Sequence, residues 1–291
     1  WYRKSAEQGN PWAQVHLARM YDRGEGIDED DQKAVEWYRK AAEQNNVSGQ
    51  IALGDMYRNG GGVVEDDEKA LKWYRRAAEQ GSRGGQRALA RAYSKGEIVE
   101  EDQAKAVEWY TKSAEQGDYL SQYWLAIKYF DGKGLEKDHK KAVEWYRKAA
   151  EQGFSHAQFS LARLYSSGQG IEEDPEKAFD WYKKAAEQGH ATAQYYVALR
   201  YDMGEGVEED DEQAVGWYRK AAAQDNVGAQ VLLGYNYALG EGVEQSEEEA
   251  VRWYQKAAEQ GNVTAQARLG MSYASGRGVA KDAITSLEYL S

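Results

Sequence analysis

The sequence predicts an all-α protein, an array of stacked helix-turn-helix repeats, and three observations carry that prediction. Trp-Tyr recurs at Trp1, Trp37, Trp73, Trp109, Trp145, Trp181, Trp217 and Trp253, each interval being 36 residues with no insertion or deletion. Every period holds two stretches with apolar residues at helical spacing, parted by glycines. Only two prolines occur in 291 residues, which suits a chain made mostly of helix, because proline breaks a helix interior. Length alone would suggest about two domains. Other columns hold the same step, however: Gln14 recurs through Gln266, Tyr21 through Tyr273 and Gly24 through Gly276. Several columns in phase make the chain one array.

The elements follow in order. Residues 1–8 read as the second half of a helix B. Full repeats then run 9–44, 45–80, 81–116, 117–152, 153–188, 189–224 and 225–260, with 261–291 an incomplete last repeat. In the first repeat, Asn10 to Arg23 is helix A, with Ala13, Gln14, Leu17, Ala18 and Tyr21 on one face. Gly24 and Gly26 stop it and turn the chain. Asp30 opens helix B, which carries Ala34, Val35, Trp37, Tyr38, Ala41 and Ala42. A glycine nine residues into each period ends helix B, except that Asn45 and Asp225 replace it twice. Pro11 and Pro175 each follow a good cap residue and sit at a first helical position. Ser246 to Glu249 spells a capping box. Acids crowd the other helix B starts, and Lys40, Lys112 and Lys148 lie near helix ends, both with the sign the helix dipole favours.

A helix pair of this size cannot bury its apolar face alone, so neighbours must stack and cover one another. Alanines such as Ala41, Ala42, Ala77 and Ala78 let helices approach, and the large aromatics fill what remains. Trp145, mid-array, is expected to be buried between its own helix A and the next repeat.

The unit A-Q-x-x-L-A/G-x-x-Y-x-x-G-x-G-V-x-x-D-x-x-K-A-V-x-W-Y-x-K-A-A-E-Q-G resembles the Sel-one-like repeat (SLR), a relative of the tetratricopeptide repeat. Ala193 to Gly206 and Trp181 to Gly189 show it well, and the likeness covers essentially the whole chain. It implies a right-handed superhelical α/α solenoid and a scaffold or adaptor role in protein complexes. Departures are Ile98 at the second loop glycine, Ala223 for the expected glutamate and Ser246 for the expected aspartate. The last repeat departs further, with Ile284, Ser286, Tyr289 and Leu290 in helix B. That resembles a terminal cap or decay at an array end.

Composition excludes several chemistries. The net charge of −12 disfavours nucleic acid, because phosphates would be repelled over most of the surface. Cysteine is absent, so disulfides, thiolate metal sites and cysteine nucleophiles are excluded. A mean hydropathy of −0.87 and the absence of a long apolar run exclude a membrane span. His16, His139, His156 and His190 are scattered through the repeat and suggest no metal site. The Gly24-Glu25-Gly26 turn precedes Asp28, Glu29, Asp30 and Asp31, which would repel a phosphate and lack calcium-loop spacing. Asn46-Val47-Ser48 and Asn262-Val263-Thr264 match a glycosylation pattern, but both asparagines stand where helix A needs a cap. No nucleophile with its base and no cofactor site is apparent, so the chain reads as no enzyme.

Two classes remain. The first is a scaffold that holds a peptide or protein in a concave groove lined by helix A. The second is a self-associating array, or a regulatory part of a larger protein. Residues 1–8 and 282–291 begin and end inside a helix B, and the first residue is Trp1, so the sequence reads as a trimmed piece or as an array with joining ends. The face of helix A opposite the core carries Arg19, Arg23, Arg91, Lys95 and Arg163 in the early repeats. These would attract an acidic segment or a carboxylate. From the sixth repeat the same columns hold Leu199, Met203, Tyr235, Leu239 and Met271, flanked by Tyr195, Tyr196 and Leu232, which suits an apolar segment.

Overall fold

The computed structural model describes residues 1–290, Leu290 in its backbone alone, so the expectation for that side chain lies outside the described residues. Among them are seventeen α-helices and no strand. A short α1 (Tyr2–Glu7) leads into α2 (Pro11–Arg23) and α3 (Asp31–Glu43), then α4 (Val47–Asn59) and α5 (Asp67–Glu79). Next come α6 (Arg83–Lys95) with α7 (Gln103–Glu115), and α8 (Tyr119–Asp131) with α9 (His139–Glu151). The later pairs are α10 (Ser155–Ser167) with α11 (Pro175–Glu187), and α12 (Ala191–Met203) with α13 (Asp211–Ala222). The last are α14 (Val227–Leu239) with α15 (Glu247–Glu259), and α16 (Val263–Ser275) with α17 (Ala283–Leu290). Even-numbered helices are helices A, odd-numbered ones helices B. The chain falls into two compact units, Trp1–Ala149 and Ala150–Ser291, and within each consecutive helices pack on one another.

Local chemistry sets the helix ends. Asn10 and Asn46 accept the backbone N–H of the residue three ahead, Ala13 and Gly49, at 3.0 and 2.9 Å. Asp30, Asp66, Asp102 and Asp174 do the same for helices B and are held below the usual carboxylate range, chiefly by hydrogen bonds from Lys33, Lys69, Lys105 and Lys177. Ser246 caps through Glu249 N at 3.2 Å, but the Glu249 carboxylate turns to Arg252, so the expected capping box works in one direction only. Gly24 ends α2 at φ 64°, and Asn45 and Asp225 adopt φ 63° and 59° where their column otherwise holds glycine.

Packing explains the second loop glycine. A Cβ at Gly62 would stand 2.3 Å from the carbonyl oxygen of Asp31, and one at Gly206 2.1 Å from that of Pro175. The loop thus rests on the start of the preceding helix B. Ile98 takes this place without a positive φ and lays its side chain on the core of the first unit.

The core is built from columns. Leu53, Leu89, Leu125, Leu161, Leu233 and Leu269 are all at most 1% exposed, each burial stabilising by roughly 1.5–3 kcal/mol. Alanines from both helices fill the close approaches. The glutamine column is buried and hydrogen-bonded. Gln50 Nε2 donates to the Ala42 carbonyl at 3.2 Å, while Gln50 Oε1 accepts from Gln80 Nε2 at 2.6 Å. Gln14 with Gln44, Gln194 with Gln224 and Gln230 with Gln260 repeat the arrangement, so each glutamine ties three successive helices.

One expectation is corrected. Trp145 is half-buried, and the residue in the core is its neighbour Tyr146, 6% exposed. The pattern recurs: Tyr74, Tyr182 and Tyr218 are 1%, 1% and 0% exposed, and of the Trp-Tyr tryptophans after Trp1 only Trp217 is buried. One step along a helix turns the side chain by about 100°. That step moves tryptophan to the rim of the helix contact, where its outer ring face takes a lysine three residues on. Lys40 lies 3.9 Å from the Trp37 centroid, Lys148 3.9 Å from Trp145 and Lys220 3.8 Å from Trp217.

Candidate functional site

The core takes one face of each helix A, and the opposite face turns outward. In the first unit that face carries Arg19, Arg23, Arg91 and Lys95, all exposed. Arg23 reaches Glu25 at 3.5 Å and Lys95 reaches Glu97 at 3.0 Å, exposed pairs that contribute little to stability. The basic row is interrupted. Asp55 stands on α4 where α2 has Arg19 and α6 has Arg91, and it meets Arg58 at 3.4 Å and Arg91 at 3.9 Å.

Two hollows open along this face and share Ile51 and Asp55. One, of about 360 Å³, takes in Arg19, Asp22, Arg23 and Tyr38. The other, of about 240 Å³, is lined by Arg58, Arg87, Arg91, Tyr110, Leu120 and Trp124. Arg58, Arg87 and Trp124 sit at repeat positions 22, 15 and 16, to the side of the outward direction, and close approach of neighbouring helices A brings them in. That approach shows in Gly84 of α6, whose added Cβ would stand 3.2 Å from Ile51 of α4. Trp124 is 43% exposed, a large aromatic surface for a soluble face.

The tyrosines of helices B form the floor. The Tyr74 hydroxyl donates to Asp55 at 2.6 Å, Tyr38 to Asp22 at 3.4 Å and Tyr218 to Asp202 at 3.3 Å. Burial, with the nearby Asp22 charge, pushes the Tyr38 hydroxyl up to about 12. Tyr110 is 2% exposed, and burial raises its hydroxyl well above the usual range against the pull of Arg87.

In the second unit Arg163 is exposed beside Tyr182, and the outward face then changes character. Met203, Tyr235, Leu239 and Met271 are 61%, 39%, 50% and 57% exposed, while Leu199 is half-buried. The flanking residues are packed. Tyr196 stacks on Tyr182 with centroids 5.0 Å apart, and Tyr195 lies against α14, where a Cβ at Gly228 would stand 3.1 Å from its ring. Tyr195 and Tyr196 therefore hold α12 in place, and the columns of Leu199 and Met203 carry the open surface. The Arg268 guanidinium sits 5.4 Å from the Tyr235 centroid.

Asn46 and Asn262 serve as caps, with Asn46 8% exposed. Among the described residues no cluster of three or more His, Cys, Asp or Glu could hold a metal ion, and no helix is long and apolar enough to cross a membrane.

The Sel1 repeat matches the chain at residues 1–10, 13–46, 47–82, 84–118, 120–154, 155–190, 191–226, 227–262 and 263–291. A Sel1 repeat protein from Oxalobacter formigenes is 37% identical, with a TM-score of 0.77, over 93% of this chain and 78% of that one. A protective antigen of uropathogenic Escherichia coli with an SLR fold is 38% identical, with a TM-score of 0.66, over 99% of this chain and 70% of that one. No match was found among curated proteins. The chain belongs to the Sel1-repeat family, whose members are generally non-catalytic protein-interaction scaffolds.

Proposed function

We propose that this Sel1-repeat chain is a non-enzymatic adaptor that binds a peptide or protein segment along the outward faces of its helices A. The observation that carries this reading is the set of exposed apolar side chains Met203, Tyr235, Leu239 and Met271. Nothing in the stacking of repeats requires them, since the core is complete beneath in Val197, Leu233 and Leu269. Exposed side chains of this kind mark contacts when they share one face. In the first unit Arg19, Arg23, Arg91 and Lys95, and in the second Arg163, supply cationic donors against the net charge of −12. The partner that fits has an apolar segment for α12, α14 and α16 and an acidic one for the arginines.

The test is the triple change Leu199→Ser, Tyr235→Ser and Leu239→Ser. The melting midpoint should barely move, and partners captured by the parent chain should be lost. A collapse in stability would make these residues core, and undiminished capture would place the partner elsewhere. The same exposed residues favour self-association as the second reading, which light scattering of parent and triple variant over a concentration series decides. The cationic part is checked with Arg91→Glu and with salt, either of which should weaken an acidic partner.

A further inference from the structure

We propose that the contact between His156 and His190 is a pH-operated latch on the first turn of α12, closed near neutrality and released in mild acid. The latch itself does not rest on the adaptor reading. In the turn before most helices A one side chain accepts the backbone N–H three residues ahead. Asn10, Asn46, Ser82, Asn226 and Asn262 do so with an amide or hydroxyl oxygen, which mild acid does not protonate. His190 does so with a ring nitrogen, Nδ1, which accepts the Ala193 N–H at 3.2 Å. The neutral ring must therefore carry its proton on Nε2. A second proton enters at Nδ1, where it meets the Ala193 N–H head on, and the cap is broken.

The surroundings favour that event. Phe154, His156, Phe159 and His190 gather at this turn, and no other repeat places His or Phe at their positions. His156 rests on Phe154 with centroids 5.2 Å apart, His190 stacks on Phe159 at 4.9 Å, and the two imidazoles meet edge to face at 4.9 Å. Two imidazolium rings at that distance, with phenyl rings behind them, repel. The other ionisable groups of the surrounding helices are engaged elsewhere or exposed. Arg163 of α10 and Arg200 of α12 act on Tyr182 of α11, Lys183 and Lys184 of α11 lie over Phe179 and Trp181, and Glu151 and Glu187 are exposed. Burial lowers the pKa of half-buried His190, and so does His156, the one charge that acts on it among the described residues. The open turn, with its histidine in water, therefore takes the proton more readily than the closed one. Opening sets in as pH falls below the ordinary value of ~6.5. Under the latch, Phe159 meets Tyr196, which stacks on Tyr182. Release uncovers Phe159 and loosens the start of the helix that bears Leu199 and Met203. On the adaptor reading, a segment held there near neutrality is let go in acid.

Hydrogen exchange of the full chain from pH 7.5 to 5 tests this, read by mass spectrometry on peptides that cover the start of α12. The start of α14, capped by Asn226, is the internal reference. His190→Asn installs the common cap and should keep the turn closed throughout. At pH 7.5 parent and variant should exchange alike. At pH 5 the parent should exchange about fivefold faster at the start of α12, the size of one helix cap, with the α14 reference equal in both. His156→Gln removes the neighbouring charge and should move the parent's transition to higher pH. If His190→Asn lowers the melting temperature at pH 7.5, the exposed position decides through His156→Gln. The same pH response in parent and His190→Asn, or a transition that His156→Gln leaves in place, overturns the inference. The adaptor reading is judged separately, by the triple variant on α12 and α14 at pH 7.5, where the latch is closed.

Discussion

Helices α6 and α14 occupy the same place in their repeats and face outward with opposite chemistry. Inward they are alike: Leu89 and Leu233 are 1% and 0% exposed, Gln86 and Gln230 are both buried, and small residues follow at Ala90 and Gly234. Outward, α6 carries Arg87, Arg91 and Lys95, whereas α14 carries Leu232, Tyr235 and Leu239. Stacking constrains one face of helix A tightly, because every repeat must mate with its neighbours. It leaves the other face free to take charge in one unit and apolar surface in the other. The contrast separates residues that hold the array together from residues offered to a partner.

The first way to break that comparison is to attack the inward side. Tyr74→Ala should cost about 3–5 kcal/mol, as removal of a fully buried aromatic does, while Trp73→Ala on the half-buried rim should cost clearly less. Urea melts of the two variants decide, and equal losses would refute the assignment of tyrosine as core and tryptophan as rim. The next effect belongs to the glutamine ties. Gln50→Leu should cost about 1–3 kcal/mol, because it removes two hydrogen bonds, to the Ala42 carbonyl and from Gln80, while the Ala42 carbonyl keeps the Asn45 N–H and Gln80 keeps the Arg76 carbonyl. An unchanged midpoint would mean the ties contribute nothing.

A third test uses the one histidine that acts as a cap. His190 Nδ1 accepts the Ala193 N–H at 3.2 Å, so it must be unprotonated there, and its ring stacks on Phe159 at 4.9 Å. Burial first, and His156 second, lower its pKa in the folded chain. The unfolded chain then binds the proton more readily, so this contribution is whole above the ordinary value of ~6.5. It is lost as pH falls below that value toward the lowered folded one. The cap is worth about 1 kcal/mol. Melting midpoints from pH 7.5 to 5 should fall more steeply for the parent than for His190→Asn, and parallel profiles would discard the histidine. The smallest effects are on the outward side. Arg91→Ser and Leu239→Ser should each change stability by no more than about 0.5 kcal/mol. A larger loss at either position, in thermal or urea melts, would erase the division between the two faces.

Much of this was written in the sequence. The 36-residue step, the two helices per repeat and their ends were legible, because caps such as Asn10, Asp30 and Ser246 and stops such as Gly24 act within a few residues of themselves. So was the outward direction of Arg19, Arg91, Tyr235 and Leu239, which follows from helical spacing once Leu17 and its equivalents are placed in the core. Only the tertiary structure decided the rest. Whether Trp145 or Tyr146 went deeper turned on how two helices meet, and one step around a helix separates core from rim. Asp55 broke the basic row by pairing with arginines from two helices, and Arg87 and Trp124 reached the hollow from neighbouring repeats. The helix ends are local interactions, which a repeat pattern spells out. Burial and pairing are interactions between residues tens of positions apart, and they are fixed only when the helices carrying them come together.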